Sequence, residues 1–105
     1  MSLKQITIPS SVTIIGSYAF EGCPSLVEIT NCSSITKIGI EVFRGCSSLK
    51  KITISDSVKT IDIGTFERCS SLRKIIIPIA VTNIGNGAFK DCSSLKKIKN
   101  ASFGN

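Results

Sequence analysis

The chain contains no histidine at all, and its 105 residues include only 7 Asp and Glu. Histidine is the commonest general acid or base in enzymes, so its absence removes the usual partner of a nucleophile. The few acids are scattered, and neither a paired carboxylate motif nor a phosphate-binding loop occurs. Zinc motifs need Cys or His pairs two to four residues apart, and the chain offers none. The sequence therefore predicts no enzyme, no metal site and no cofactor.

Aromatic residues and long apolar runs are also scarce. Aromatics make up 6% of the chain, and no apolar run approaches the length that a membrane span needs. The first residues, MSLKQITIPSS, lack the basic-then-apolar layout of a signal peptide. Apolar residues nevertheless make up 42% of the chain and the mean hydropathy is +0.29, which excludes a disordered segment. We expect a single folded domain without a membrane span.

A repeat of 23 residues organises the chain. Cysteine recurs at this spacing, with phenylalanine three residues before each cysteine and leucine three residues after. The cysteines are Cys23, Cys46, Cys69 and Cys92; the phenylalanines are Phe20, Phe43, Phe66 and Phe89; the leucines are Leu26, Leu49, Leu72 and Leu95. A fixed period of this length is the mark of a repeat protein in which each copy stacks on the next.

One domain, 1–105, therefore divides into copies at about 1–23, 24–46, 47–69 and 70–92, with a partial copy at 93–105. The sequence enters the first copy part-way and stops early in the last, so we expect a segment of a longer array.

Each copy predicts two short strands and a turn of helix. Leu-x-x-Ile-x-Ile alternates apolar and polar residues at its end, which indicates a strand, and Val-x-x-Ile-Gly indicates a second, shorter one. The remaining residues before the cysteine are too few for more than one helical turn. We expect positive φ at Gly16, Gly39 and Gly85, and Asp62 occupies the same place in the third copy.

Strands one repeat apart must run parallel, about 4.8 Å from each other. The predicted fold is therefore a leucine-rich-repeat solenoid of predominantly β structure, with stacked columns of like side chains in its core. In the middle copies, we expect Phe43, Phe66, Leu49 and Ile52 to be nearly fully buried. The four repeating cysteines should form a column of buried, unlinked thiols, because parallel side chains in register suit disulfide torsions poorly. Cys32 lies at a turn, and we expect it to be the one thiol that is reactive or forms a cross-link.

The repeat resembles a known family. The pattern Cys-x-Ser-Leu-x-x-Ile-x-Ile-Pro-x-x-Val-x-x-Ile-Gly-x-x-Ala-Phe-x-x-Cys is similar to the BspA-like leucine-rich repeat of bacterial and protozoan surface proteins. Gly-x-x-Ala-Phe-Glu-Gly-Cys at 16–23 and Gly-x-Gly-Ala-Phe-Lys-Asp-Cys at 85–92 match closely, whereas Asp62 and Arg68 depart from it. The resemblance implies a non-enzymatic surface or secreted protein that mediates adhesion or binds host proteins. It transfers no binding residue, because the shared residues are core residues.

Basic residues provide the candidate binding site. Residues 1–49 sum to zero charge, so the whole net charge of +6 lies in residues 50–105. Basic pairs recur there at the repeat spacing and should project from the strand-bearing face. The candidate residues are Lys50, Lys51, Thr53, Arg73, Lys74, Ile76, Lys96, Lys97 and Lys99.

Three functions fit such a face. The preferred one is a protein-interaction or adhesion module, whose partners include host extracellular-matrix proteins and acidic glycans. A structural spacer without a ligand is the first alternative, with the lysines serving solubility and discouraging edge pairing. A polyanion-binding surface is the second. We expect no nucleic-acid partner, because no aromatic residue interleaves with the basic ones.

The start of the array also predicts self-association. Leu3, Ile6 and Ile8 open the first copy with no preceding copy to cover them, and an uncovered strand edge above apolar side chains is adhesive. We expect a homo-oligomer formed through this N-terminal edge.

Overall fold

The computed structural model describes residues 4–30 and 32–100. This part of the chain contains eight short strands and no helix. The strands are β1 (Gln5–Thr7), β2 (Ile14–Ile15), β3 (Glu28–Thr30), β4 (Lys37–Ile38), β5 (Thr60–Ile61), β6 (Lys74–Ile77), β7 (Asn83–Ile84) and β8 (Lys97–Asn100). No helix long and apolar enough to cross a membrane occurs among these residues.

Every strand pair is parallel and joins residues 23 positions apart. On the face formed by the first strand of each copy, β1 pairs with β3 and β6 pairs with β8. On the face formed by the second strand, β2 pairs with β4 and β5 pairs with β7. The period-2 pattern that predicted the first strand is visible in β6, where exposed and buried residues alternate along the strand. The repeat therefore sets the register.

The core consists of stacked columns, as the sequence predicts. The rings of Phe20, Phe43, Phe66 and Phe89 form one column, with neighbouring centroids 5.5 to 5.7 Å apart and planes within 11° of parallel. Phe43, Phe66, Leu49 and Ile52 are all buried, which confirms the predicted core of the middle copies. Each aromatic ring therefore packs against its counterpart in the next copy, and the copies are held together through their interiors.

The repeating thiols form a second column beside the rings. Cys46 Sγ donates a hydrogen bond to the carbonyl oxygen of Phe20 at 3.2 Å. Cys69 and Cys92 repeat this contact with the carbonyls of Phe43 and Phe66. All five cysteines are free thiols, in agreement with the predicted column. The thiol thus joins each copy to the carbonyl group of the copy before it.

The predicted helical turn is replaced by a chain of tight turns. In the second copy, the amides of Arg44 and Cys46 donate within the copy, whereas the amides of Phe43 and Gly45 donate to the third copy. A helix would direct all of its amides along its own axis. Left-handed residues at Glu41 (φ 52°) and Gly45 (φ 76°) interrupt that direction, so alternate amides reach the neighbouring copy. The turns consequently form a third line of contact between copies.

The expectation of positive φ at Gly16, Gly39 and Gly85 is wrong, and so is the matching expectation for Asp62. None of the four has a left-handed backbone; the positive-φ residues lie two and six positions further along each copy. Glycine is needed at Gly39 and Gly85 for a different reason. A Cβ on Gly39 would lie 2.7 Å from the backbone nitrogen of Ser17, and one on Gly85 would lie 2.6 Å from that of Ile63. These glycines permit the close approach of neighbouring copies.

Candidate binding site

The structure places the candidate residues whose side chains it describes on one exposed face. Lys50, Lys51, Thr53, Arg73, Lys74, Ile76 and Lys96 are all exposed to solvent. Lys97 and Lys99 belong to β8, where they pair in register with Lys74 and Ile76, and their side chains lie outside what the structure describes. Ile76 is the large apolar member of the set and is 49% exposed. The face therefore offers positive charge with an apolar side chain among it.

The strand ladder of this face opens between the third and fourth copies. Glu28 forms an isolated parallel bridge with Lys51, which joins the second and third copies at one residue pair, while 52–54 does not pair with β3. The amide of Lys50 donates to Val27, and that of Lys96 donates to Arg73. No corresponding bond joins Arg73 to Lys50 among the described residues, and 51–54 does not pair with β6. The sheet is consequently interrupted in the middle of the candidate site.

The same two copies remain joined behind the opening. The amide of Phe66 donates to Ala88 at 2.8 Å, and that of Thr82 donates to Lys59 at 2.9 Å. Phe66 and Phe89 also stack, with centroids 5.6 Å apart. The opening is thus a local cleft on the strand face and not a division of the stack.

Charge favours an opening at this junction. Glu28 and Lys51 carry opposite charges, and their backbones form the isolated parallel β-bridge. Lys51 and Lys74 hold the same position in neighbouring copies and repel each other when they lie side by side. Lys74 and Lys97 are also alike, yet they are held together by pairing over all four residues of β6 and β8. Like charges therefore face each other at both junctions, and the pairing of β6 with β8 offsets the repulsion only at the second.

The cleft has a volume of about 390 Å³. Its lining combines six of the candidate residues with four others. The lining residues are Lys50, Lys51, Ile52, Thr53, Ile54, Asp56, Arg73, Lys74, Ile76 and Pro78. The structure therefore brings the candidate residues of the third and fourth copies together. Lys96 does not line the cleft, and the side chains of Lys97 and Lys99 lie outside what the structure describes.

Sequence reasoning missed the cleft and its residues Ile52, Ile54, Asp56 and Pro78 as part of the site. It treated the face as a continuous ladder, with Ile52 and Ile54 wholly in the core. The order of charges in one column gives only a partial signal, because Lys51 precedes Lys74 at the open junction but Lys74 precedes Lys97 at a paired one.

The cations of the cleft have no ion-pair partner among the described residues, where every ion pair involves Arg44 or Arg68. Arg44 lies on the turn segments, 3.4 to 3.5 Å from Glu21, Glu41 and Glu67. The cleft instead holds four cationic side chains and one carboxylate, that of Asp56. Its positive charge is available to a ligand.

The second-strand ladder opens at a different junction. β4 and β5 do not pair, and a cavity of about 530 Å³ lies between the second and third copies. Its lining is close to charge balance, with Lys37 and Lys59 against Asp62. The two openings lie on different faces, and only the cleft on the first-strand face concentrates charge of one sign.

The thiols add no second site. Burial raises the pKa of the Cys32 thiol, which lowers its thiolate fraction, and Cys92 is half-buried with a raised pKa in the same way. Cys32 is therefore not distinguished by its exposure, and its reactivity stays a prediction. No group of three or more Cys, Asp or Glu side chains that could hold a metal ion occurs within 4–30 and 32–100.

A family model matches nearly the whole chain. The model for the BspA type leucine rich repeat region (6 copies) matches residues 1–103. No curated protein matches the chain.

Solved bacterial structures share the fold. A leucine-rich repeat protein from Bacteroides ovatus is 31% identical with a TM-score of 0.85, over 91% of this chain and 33% of its own. One from Bacteroides capillosus is 27% identical with a TM-score of 0.81, over 91% of this chain and 75% of its own. A leucine rich cell surface protein from Faecalibacterium prausnitzii is 28% identical with a TM-score of 0.54, over 93% of this chain and 39% of its own. The chain spans about one third of the Bacteroides ovatus protein.

Proposed function

Because the chain belongs to the BspA-type leucine-rich repeat family, we propose that it is a protein-interaction module that binds its partner on the first-strand face. The observation that carries the proposal is the unpaired positive charge of Lys50, Lys51, Arg73 and Lys74 around the exposed Ile76. Charged and apolar groups in one patch suit a protein ligand, which supplies both. The site requires no catalytic group, in keeping with a family of non-enzymatic repeat modules.

We further propose a surface or secreted location and a role in adhesion. The family and the cell surface protein of Faecalibacterium prausnitzii support this location. Extracellular-matrix proteins are the partner class that we propose, and acidic glycans are the competing class. Both carry the negative charge that the face would attract.

A retention experiment tests the proposal. The purified chain is immobilised and offered extracellular-matrix proteins and heparin at low and high salt. We expect a matrix protein to be retained at both concentrations, because apolar contacts at Ile76 persist when charges are screened. Retention of heparin alone, abolished by salt, would favour polyanion binding. Retention of neither would favour a structural spacer.

Self-association through the N-terminal edge stays a separate proposal. Within the described residues, β1 pairs with β3 on one side only, and Ile6 of β1 is half-buried. Ile8 is buried, so the expectation that it lies uncovered is wrong. Leu3, which the prediction also used, lies outside the described residues. Light scattering at several concentrations, with and without Ile6→Lys, tests it. We expect the mass to rise with concentration in the parent chain only; a monomer at every concentration would contradict the proposal.

A further inference from the structure

We propose that the cleft between the third and fourth copies binds an extended, acidic peptide segment of a partner protein. The inference rests on the proposed function and specifies where the partner binds and what chemistry it presents. It is carried by three features of the cleft: its charge, its apolar and backbone groups, and its size.

The charge selects an anion. Lys50 and Lys51 approach from the third copy, and Arg73 and Lys74 approach from the fourth, with Asp56 as the opposing carboxylate. None of these cations has an ion-pair partner in the described part of the chain. A carboxylate ligand would therefore meet cations on both walls without displacing an existing pair, and the arginine offers it a bidentate contact.

The apolar and backbone groups select a peptide over a sulfated glycan. Ile76 is 49% exposed, and Pro78 lines the same cavity, so an apolar side chain would bury surface there. The interrupted ladder also leaves strand backbone without a neighbouring strand between 51–54 and β6. A peptide backbone carries both donors and acceptors for such groups. A sulfated glycan could hydrogen-bond such groups through its hydroxyls but offers no apolar side chain to Ile76.

The size fits a few side chains of a peptide. The cavity of about 390 Å³ lies at the lower end of the range of about 300 to 1,000 Å³ that is usual for ligand pockets. The cleft therefore suits a short acidic and apolar segment whose flanks continue along the face, where Lys96 provides a further cation.

The experiment measures fluorescence anisotropy with a labelled ten-residue peptide in which Asp alternates with Val. Two further probes, Asp alternating with Ser and Lys alternating with Val, test the apolar and the acidic requirement separately. The test variant is Lys51→Glu with Lys74→Glu, which reverses charge on both walls and keeps like charges facing each other. The matched control, Lys37→Glu with Lys90→Glu, makes the same change in net charge at exposed positions outside the cleft. Ile76→Ser is the second test variant.

We expect the Asp-Val peptide to bind the parent chain and to lose about tenfold or more of its affinity in the Lys51→Glu, Lys74→Glu variant. The control should lose about threefold or less, because exposed charges at a distance are screened. Ile76→Ser should weaken the Asp-Val peptide about fivefold or more and leave the Asp-Ser peptide unchanged, because only valine uses the apolar contact. The Lys-Val peptide should not bind.

Two results would overturn the inference. Equal losses in the test and control pairs would mean attraction to net charge without a site. Heparin binding that ignores Ile76→Ser, together with no peptide binding, would mean a polyanion surface. Circular dichroism of each variant checks folding, and an unfolded Ile76→Ser is replaced by Ile76→Thr.

The proposed function is tested separately. If a matrix protein is retained equally by the parent chain and by the Lys51→Glu, Lys74→Glu variant, the module binds proteins but not at the cleft. If no protein is retained by the parent chain and the peptide still binds, the cleft is a site but the proposed class of partner is wrong.

Discussion

The first two copies and the next two differ in which of their two positive-φ positions is occupied by glycine. Each copy has two residues with positive φ, four positions apart in sequence. In the first two copies glycine stands at the second of these positions, and in the next two it stands at the first. The residues at the first position are Tyr18, Glu41, Gly64 and Gly87, and those at the second are Gly22, Gly45, Arg68 and Asp91.

The exchange teaches that a copy needs both left-handed residues but accepts one that is not glycine. A residue with a side chain is disfavoured there by about 1 to 2 kcal/mol, so each copy carries one such cost. The neighbouring copies over-determine the conformation, since alternate amides of the turns donate across the copy boundary. Arg68, which departs from the repeat pattern at a glycine position, is thus balanced by Gly64 in the same copy.

The two halves also differ on the first-strand face. The first half is neutral, and its strands β1 and β3 pair. Residues 50–105 carry the whole net charge, and the cleft opens at the first copy boundary within them. The core is therefore regular in copies whose surface is irregular. The substitutions below should affect the stability of the core and the properties of the surface separately.

The largest effect is expected in the shared core. Phe66→Ala should destabilise the chain by about 3 to 5 kcal/mol, because a fully buried ring with a neighbour on each side leaves a cavity. Phe20→Ala, at the start of the column and half-buried, should have a smaller effect. Denaturant unfolding of both variants measures the difference. Equal losses would mean that the column is not the common core of both halves.

A second test compares two glycines of one column. Gly85→Ala should destabilise by about 1 to 3 kcal/mol, because its Cβ would meet backbone atoms of the preceding copy. Gly16→Ala is the matched control, since no atom lies within 4 Å of a Cβ there. Thermal unfolding should show a drop for Gly85→Ala alone. A similar drop in both would point to a backbone requirement and not to close packing.

The buried thiols should make the chain sensitive to alkali. Burial raises the pKa of Cys46 from its usual 9.0 to about 11, and that of Cys69 is raised further, by burial and by the thiols on either side. A group with a raised folded-state pKa stabilises fully below its unfolded pKa, and this contribution is lost as the pH rises through the folded pKa. We expect the free energy of unfolding to fall between pH 9 and pH 11, by about 2 to 3 kcal/mol from Cys46.

Denaturant unfolding in reductant across this pH range is the measurement. Cys46→Ala should make the fall smaller by the contribution of Cys46, while the contribution of Cys69 remains. A fall of the same size in that variant would assign the alkaline loss to other groups.

The left-handed positions provide a test with opposite signs. Arg68→Gly should stabilise and Gly45→Ala should destabilise, each by about 1 kcal/mol, although both positions belong to the same column. A Cβ on Gly45 meets only ordinary contacts, at 3.7 Å, so the loss would come from the backbone and not from crowding. Chemical denaturation measures the free energy of unfolding of both variants. If both variants change it in the same direction, the two halves do not exchange glycine between equivalent left-handed positions.

The smallest effect concerns the open ladder. Lys74→Glu places opposite charges in neighbouring copies and should stabilise by a few tenths of a kcal/mol. The sharper measurement is amide hydrogen exchange at Arg73, which should be faster than at Lys50 and Lys96 in the parent chain and slower in the variant. Unchanged exchange at Arg73 would show that charge does not hold the junction open.

The repeat alone was sufficient to predict the parallel register and the buried columns, because a fixed spacing of 23 residues forces like residues into contact in neighbouring copies. The family was predicted from the resemblance of the motif residues. It also identified Lys51, Lys74 and Ile76 as residues of the exposed face, since strand alternation assigns them outward. Only the tertiary structure decided which glycines are left-handed, that the predicted helical turn is a chain of turns, and where the ladder opens. Those features depend on distances between copies, as at Gly85 and Ile63 or between Lys51 and Lys74, and one copy's sequence does not contain them.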